Sequence, residues 1–273
     1  MEIITLGTGS PIPSPDRAGP STLVRAEGRD FLIDCGRGVQ MRMAAAWCSA
    51  PQLTAVLLTH LHSDHITDFN DVVTSRWIMS PVPSPLTVIG PVGTQRFVDR
   101  TLEMLSDDVG YRIAHHEDLN EGPVINVKEV ESGVVFDDGV VRILAEPTNH
   151  APVAPTVGYR FEEGGKAVAI AGDTIPCEGL STLVRGAEVY VQTVIRRQLV
   201  EQVPMQRFLD ILDYHSTTET AAQTAAEGGV GALVFTHPVP APQPGTEQDW
   251  LDDAAAHYDG PVHLAVDLFS LSI

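Results

Sequence analysis

Four side chains able to hold a metal ion fall within six positions in Thr59-His60-Leu61-His62-Ser63-Asp64-His65, directly after the apolar run 53–58. Imidazole nitrogen and carboxylate oxygen are ligands for zinc-type ions. A turn leaving a strand end is not committed to one helical face, so it can aim His60 and His62 at one ion while Asp64 and His65 swing to a neighbour. Buried together without a cation, these groups would lack partners, which is costly. Three more candidates follow apolar runs elsewhere: His150 after 140–145, Asp173 after 167–171 and His237 after 232–235. A lone His or Asp at a strand end is ordinarily structural. Three at equivalent places, behind a ligand-dense loop, point to a two-metal centre closed by residues distant in sequence.

The elements that must position these side chains are short. Strands are expected at 3–6, 21–26, 31–33 and 53–59, the last followed by a helix-like segment to about residue 78. A second series runs through 86–90, 124–130, 140–145, 156–161 and 167–171, with a helix over 91–105. From Val189 a strand leads to helices near 205–212 and 217–228, the strand 232–236, and one more helix before 263–266. Many links are hairpin-sized, so mostly antiparallel pairing is expected. Two strand-and-helix halves suit an α/β fold, a four-layer αββα sandwich with helices outside two stacked sheets, formed as a single domain over 1–273. Pro81-Val82-Pro83-Ser84-Pro85 and Pro238-Val239-Pro240-Ala241-Pro242 read as stiff loops that wall a pocket.

The apolar share of 43% over 273 residues is ample for a large core. No run of about eighteen apolar residues occurs and the first residues lack signal-peptide character, so a cytoplasmic protein that does not engage a membrane is expected. Cys35, Cys48 and Cys177 are spaced neither as a disulfide framework nor as a metal site and read as buried reduced thiols. A net charge of -19 repels phosphate backbones on average. Arg17, Arg25, Arg29, Arg37 and Arg42 nevertheless share one stretch, so a nucleic acid would have to meet a local positive patch. Gly7-Thr8-Gly9 is not followed by a nucleotide-binding helix and reads as a tight turn. No serine-nucleophile motif is present. His115, His116, His257 and His263 read as surface or core residues.

With these residues in view, the chain resembles metallo-β-lactamase-fold hydrolases, and within them ribonuclease Z (tRNase Z) and related zinc phosphodiesterases and arylsulfatases. The resemblance covers nearly the whole chain. It includes Gly7-Thr8-Gly9-Ser10, Ile33-Asp34-Cys35-Gly36, Gly158-Tyr159, Gly172-Asp173-Thr174-Ile175-Pro176-Cys177 and His215-Ser216-Thr217. It implies two Zn2+ ions, with Mn2+ or Fe as substitutes: His60, His62 and His150 on the first, Asp64, His65 and His237 on the second, Asp173 bridging. Ions about 3.5–4 Å apart can share a water whose pKa falls towards neutrality and can neutralise charge on the attacked ester. Asp64 doubles as the proton acceptor. His215 stands off the metals as proton donor or charge stabiliser, while Ser216 and Thr217 cap the helix that follows.

The implied activity is phosphodiester hydrolysis, including endonuclease removal of the 3′ trailer from precursor tRNA by a homodimer. The alternative is an arylsulfatase or other small-ester hydrolase. Three departures bear on the substrate. The long arm that ribonuclease Z usually carries between the positions of His150 and Asp173 is reduced to a hairpin-sized stretch. Gln192-Thr193-Val194-Ile195 stands where the family often has His-Glu-Ala-Thr, so Thr193 replaces a glutamate thought to assist His215. Arg37 stands where glutamate is common, and Ser63 where glycine is frequent, as in the arylsulfatase-like branch.

Overall fold

The computed structural model describes residues 1–273. The first half contains β1 (Glu2–Gly7), β2 (Ser21–Ala26), β3 (Arg29–Ile33), α1 (Val39–Ala45), β4 (Leu53–Leu57), α2 (Ser63–Ile66), α3 (Phe69–Met79), β5 (Leu86–Gly90), α4 (Thr94–Met104), α5 (Ser106–His115) and β6 (Ile125–Glu129). The second contains β7 (Gly133–Asp137), β8 (Val141–Pro147), β9 (Val157–Glu163), β10 (Lys166–Ile170), α6 (Glu178–Val184), β11 (Val189–Ile195), α7 (Arg197–Val200), α8 (Gln206–Asp210), α9 (Thr218–Gly228), β12 (Ala232–Val239), α10 (Glu247–Ala255) and β13 (Val262–Leu264). A last strand, β14 (Phe269–Ser272), returns to the first sheet beside β1.

The two sheets have the orders β14-β1-β2-β3-β4-β5-β6 and β13-β12-β11-β10-β9-β8-β7. Each is antiparallel through β3 or from β7 to β10, and parallel in the rest. Pairing is therefore evenly divided, which corrects the expectation of mostly antiparallel sheets. Hairpin links dominate the eye in the sequence, but α1, α3, α6 and α9 each carry the chain over to a parallel neighbour.

Three apolar layers separate the four layers of structure. Between the sheets, Ile3, Val24, Phe31 and Leu57 meet Ile143, Tyr159, Phe161 and Val191, with Phe31 and Phe161 edge to face at 5.5 Å. Val39, Met43, Phe69, Val72 and Val98 seat helices on the outer face of the first sheet. Leu180, Leu183, Ala221, Ala225 and Trp250 do the same for the second. On α3 the buried residues are Phe69, Val72, Val73 and Arg76, the stripe of a half-buried helix. Every residue of β11 is buried, as a central parallel strand requires.

Several boundaries differ from the sequence reading. The strand 53–59 ends at Leu57, and the helix-like segment after it is α2 and α3, interrupted at Thr67 and Asp68. The helix near 205–212 is α8 followed by a 3-10 turn, Ile211–Asp213. Pro238 and Val239 belong to β12, not to a loop. Cys35 and Cys48 are buried free thiols, but Cys177 is half-buried. Pro81–Pro85 does wall a groove, about 560 Å³ in volume, between α3 and the segment before β6. No helix is long and apolar enough to cross a membrane.

Candidate metal centre

The histidine loop leaves β4 in extended form and enters α2 at His62, whose φ and ψ of -64° and 146° place it just outside the helix. His60 and His62 thus project from extended backbone, and Asp64 and His65 from the first helical turn. His150 lies in the loop after β8, held by bridges from Asn149 to Ile175 and from His150 to Val153. Asp173 follows β10 after Gly172, which adopts φ 67° against Thr59; a Cβ on Gly172 would lie 2.8 Å from Thr59 Cβ. His237 sits within β12, not beyond it. There the pairing with β11 shifts, Thr193 opposing Thr236 and Ile195 opposing Val239. His237 takes φ 49° at this bulge, a local distortion that re-aims its ring.

These residues converge in two groups. The ligating atoms of His60, His62, His150 and Asp173 lie within 4.8 Å of one another, as do those of Asp64, His65 and His237. His62 Nδ1 is 3.1 Å from His60 Nε2 and 3.3 Å from His150 Nε2. Asp64 Oδ2 is 3.2 Å from His237 Nε2 and 3.7 Å from His65 Nε2. Asp173 Oδ2 stands between the groups, 4.0 Å from His150 Nε2, 3.5 Å from His65 Nε2 and 3.8 Å from His237 Nε2.

The outer nitrogens fix the tautomers. His150 Nδ1 donates to the Tyr214 carbonyl at 2.9 Å, leaving a lone pair on Nε2. The Thr59 hydroxyl donates to Asp34 Oδ2 at 2.8 Å and accepts from His60 Nδ1 at 3.0 Å, with the same result for His60. His65 Nδ1 donates to the same Asp34 oxygen at 2.7 Å. Asp34, in the left-handed region at φ 59°, also accepts from the Thr59 amide at 2.8 Å. It therefore orients His60 and His65 from behind, as carboxylates do for metal-binding histidines. In the sequence Asp34 stands out only within Ile33-Asp34-Cys35-Gly36, and its local signal is a carboxylate directly after the strand β3.

A cation fits this arrangement. Ring nitrogens of three imidazoles face one another at hydrogen-bond distance, with the protons of His60 and His150 directed outward. His65 Nε2 and Asp173 Oδ1 are buried in the centre without any hydrogen-bond partner, and orphaned polar atoms of this kind call for an ion. The nitrogen and oxygen donor set suits a divalent metal.

Electrostatics differ between the groups. Burial, reinforced by neighbouring histidines, holds His60 well below the usual imidazole range and pushes His150 down to about 4; burial also lowers His62. Burial opposes charge on His65 as well, but Asp173 and Asp34 raise it well above the ordinary value. His237 is raised against burial by Asp173 and its hydrogen bond to Asp64. Burial pushes Asp173 and Asp64 up, but His237 and His65 hold both carboxyls low. Without metal, burial therefore favours the uncharged form of the first group's three histidines, while the neighbouring carboxylates favour the protonated form of His65 and His237 in the second.

His215 lies beside the centre, with Nδ1 donating to Ile211 O at 2.9 Å and Nε2 3.3 Å from Asp173 Oδ2. Thr193, at the glutamate position, is buried in β11 and makes no hydrogen bond to it. Thr217 caps α9 by accepting from the Thr220 amide at 3.2 Å. In the glycine-rich turn Thr8 donates through its amide and hydroxyl to Asp267 Oδ1 at 2.9 and 2.8 Å. His115, His116 and His257 are exposed and His263 is half-buried in β13.

Residues 29–238 match the Beta-lactamase superfamily domain. The chain is 52% identical to a ribonuclease Z of Mycolicibacterium gilvum, covering 100% of this chain and 96% of that protein. It is 54% identical to the ribonuclease Z of Mycolicibacterium paratuberculosis, covering 100% and 98%. The structure is similar to the short form of human tRNase Z, with a TM-score of 0.73 at 24% identity, covering 100% of this chain and 99% of that one. On this similarity over its whole length, the chain belongs to the ribonuclease Z family of the β-lactamase superfamily.

Proposed function

We propose that this chain is a binuclear zinc phosphodiesterase that removes the 3′ trailer from precursor tRNA endonucleolytically. In this reading His60, His62 and His150 would hold one ion and Asp64, His65 and His237 the second, with Asp173 available to both. Residues 1–273 act as one domain, in a cytoplasmic homodimer. The observation that carries the reading is the position of Asp173 Oδ2 between two groups of ligating atoms drawn from both sheets. The metals, when bound, supply Lewis-acid activation of water and neutralise charge on the phosphate.

The chain's own residues move the protons. Asp64 is held ionised by His237 and His65 and accepts the proton of the attacking water as the bond to phosphorus forms. His215 already uses its Nδ1 proton on Ile211 O. Only the imidazolium form carries a second proton, on Nε2, and that is the proton it passes to the leaving oxygen as the phosphorus–oxygen bond breaks. Thr193 offers His215 no carboxylate, so the Ile211 carbonyl on Nδ1 and Asp173 beside Nε2 orient the ring.

A second reading, hydrolysis of aryl sulfates or other small esters, is favoured by one feature. β9 and β10 are joined by a two-residue turn, Gly164-Gly165, so no arm reaches towards a distant part of a tRNA. Incubation of zinc-loaded protein with a 3′-extended precursor tRNA, beside a matched aryl sulfate and aryl phosphate diester, tests both. Release of an intact trailer is expected. Turnover of the sulfate alone would replace the first reading with the second.

A further inference from the structure

Positive charge is scarce here, with 17 Lys and Arg against 36 Asp and Glu, and most of it is committed locally. Within the arginine-rich N-terminal stretch, Arg25 pairs with Asp30 and Glu2, Arg29 with Asp138, and Arg42 with Asp267. Arg17 is bound to Thr8 Oγ1 and the Ala265 carbonyl. Arg76 is buried with its guanidinium on the carbonyls of Ala50, Leu53, Ser84 and Pro85. The stretch noted in the sequence is therefore not, as a whole, a basic patch.

Arg37, Arg96 and Arg100 have no carboxylate partner, and the first two adjoin the metal loop from different sides. Arg37 follows Gly36, whose backbone is packed so tightly that a Cβ would lie 2.7 Å from Asp64 O and 2.3 Å from Gly19 C. Its one polar contact is a long one, 3.5 Å, to Pro11 O. On the other side, a Cβ on Gly93 would lie 3.2 Å from Leu61 Cδ1 and 3.6 Å from Arg96 Nη2. Arg96 thus folds back over the start of α4, and both its guanidinium and Leu61, the residue between His60 and His62, border Gly93. The Glu129 carboxylate occupies the helix amides there, accepting from Gly93 and Gln95 at 2.7 and 3.0 Å, which leaves the exposed Arg96 side chain as the group free to meet an anion. Arg100 continues the line one turn along α4.

We propose that Arg37 and Arg96, extended by Arg100, form a phosphate grip on the two sides of the metal loop that seats the backbone of an RNA strand for cleavage. The proposal rests on the phosphodiesterase reading and supplies its missing substrate contact. At physiological salt, charges beyond roughly 8 Å are largely screened, so a chain of net charge -19 holds a polyanion only through guanidinium groups in direct contact. Arginine's planar fork suits phosphate, and such contacts position a strand without reading its sequence.

The test is the salt dependence of binding. The probe is a labelled, 3′-extended precursor tRNA with a phosphorothioate at the junction to slow cleavage, measured by fluorescence anisotropy with zinc-loaded protein across a potassium chloride series. For Arg37→Ala and Arg96→Ala, the slope of log K against log salt falls by about 0.7–0.9 per arginine removed, and affinity falls several-fold. Lysine at either position keeps the slope. Arg185→Ala, at the far end of α6 and equally unpaired, leaves slope and affinity unchanged. Wild-type slope and affinity in the Arg37→Ala/Arg96→Ala protein, an equal loss with Arg185→Ala, or no binding by the wild type would overturn the grip. Hydrolysis of bis(p-nitrophenyl) phosphate by the wild type is measured separately: its failure with the grip intact removes the phosphodiesterase reading, and the converse removes only the grip.

Discussion

Asp34 Oδ2 lies 2.7 Å from His65 Nδ1 and 2.8 Å from the Thr59 hydroxyl that in turn meets His60, so one carboxylate orients a donor in each of the two groups. Asp34→Ala is expected to weaken metal affinity about 10- to 100-fold. Competition with a chelating dye measures it. Wild-type affinity in the variant would remove Asp34 from the centre.

His215 is expected to act on the reaction and not on metal retention. His215→Ala lowers kcat on a 3′-extended precursor tRNA by about 10²- to 10⁴-fold while metal content, read by elemental analysis, stays at the wild-type level. A variant that has lost its metal would move His215 into the ligand set.

Proton linkage separates the two groups. His65 and His237 are raised, so in the metal-free chain both are protonated below the ordinary imidazole value, and that stability is lost as pH rises through their folded values. Metal binding to Asp64, His65 and His237 at neutral pH is therefore expected to expel the proton held on His65, and calorimetric zinc titrations in buffers of different ionisation enthalpy detect the release. His150, lowered from 6.5 to about 4, has the opposite sign: its contribution is present above 6.5 and is lost as pH falls towards 4. Metal-free protein is expected to melt at progressively lower temperature across that interval. A flat melting profile between the two values would contradict the assignment.

The loop glycine next to Arg37 gives a steric test. Gly36→Ala would place Cβ 2.3 Å from Gly19 C and 2.7 Å from Asp64 O, with backbone on both sides and no flexible side chain to yield. A loss of about 1–3 kcal/mol is expected, with weakened metal binding, measured by urea unfolding with and without zinc. Unchanged stability would show that the loop moves freely.

Burial raises the Cys35 thiol well above its ordinary value and pushes Cys48 up to about 12, so neither forms the nucleophilic thiolate near neutral pH. Cys177 is only half-buried. A disulfide reagent is expected to label one thiol in the folded protein and three in denaturant. Mass spectrometry of the labelled peptides identifies which.

The ligand loop was legible in the sequence because its chemistry is local: four donors after a buried strand leave few alternatives. His150, Asp173 and His237 were legible as residues at the ends of apolar runs, although His237 owes its direction to a bulge that no local pattern announces. The tautomer-fixing role of Asp34 depends on Thr59 and His65 arriving from another strand, so it became visible only with the fold. Among the elements, α5 was missed because none of its residues is buried and no apolar stripe marks it. The short helices α1 and α6 have only seven residues each. β7 and β14 are edge strands in which a single residue, Val135, is buried. The even division between parallel and antiparallel pairing was hidden because link length does not show which links return to the same edge.

The candidate ligands divide between the sheets, with His60, His62, Asp64 and His65 carried after β4 and His150, Asp173 and His237 carried by the sheet opposite. Neither sheet can coordinate an ion fully by itself, since each group of donors draws on both. Sliding one sheet across the other would open both groups in the same movement. Bound metal would then act as a rivet through the sandwich, and occupancy and sheet alignment would rise and fall together.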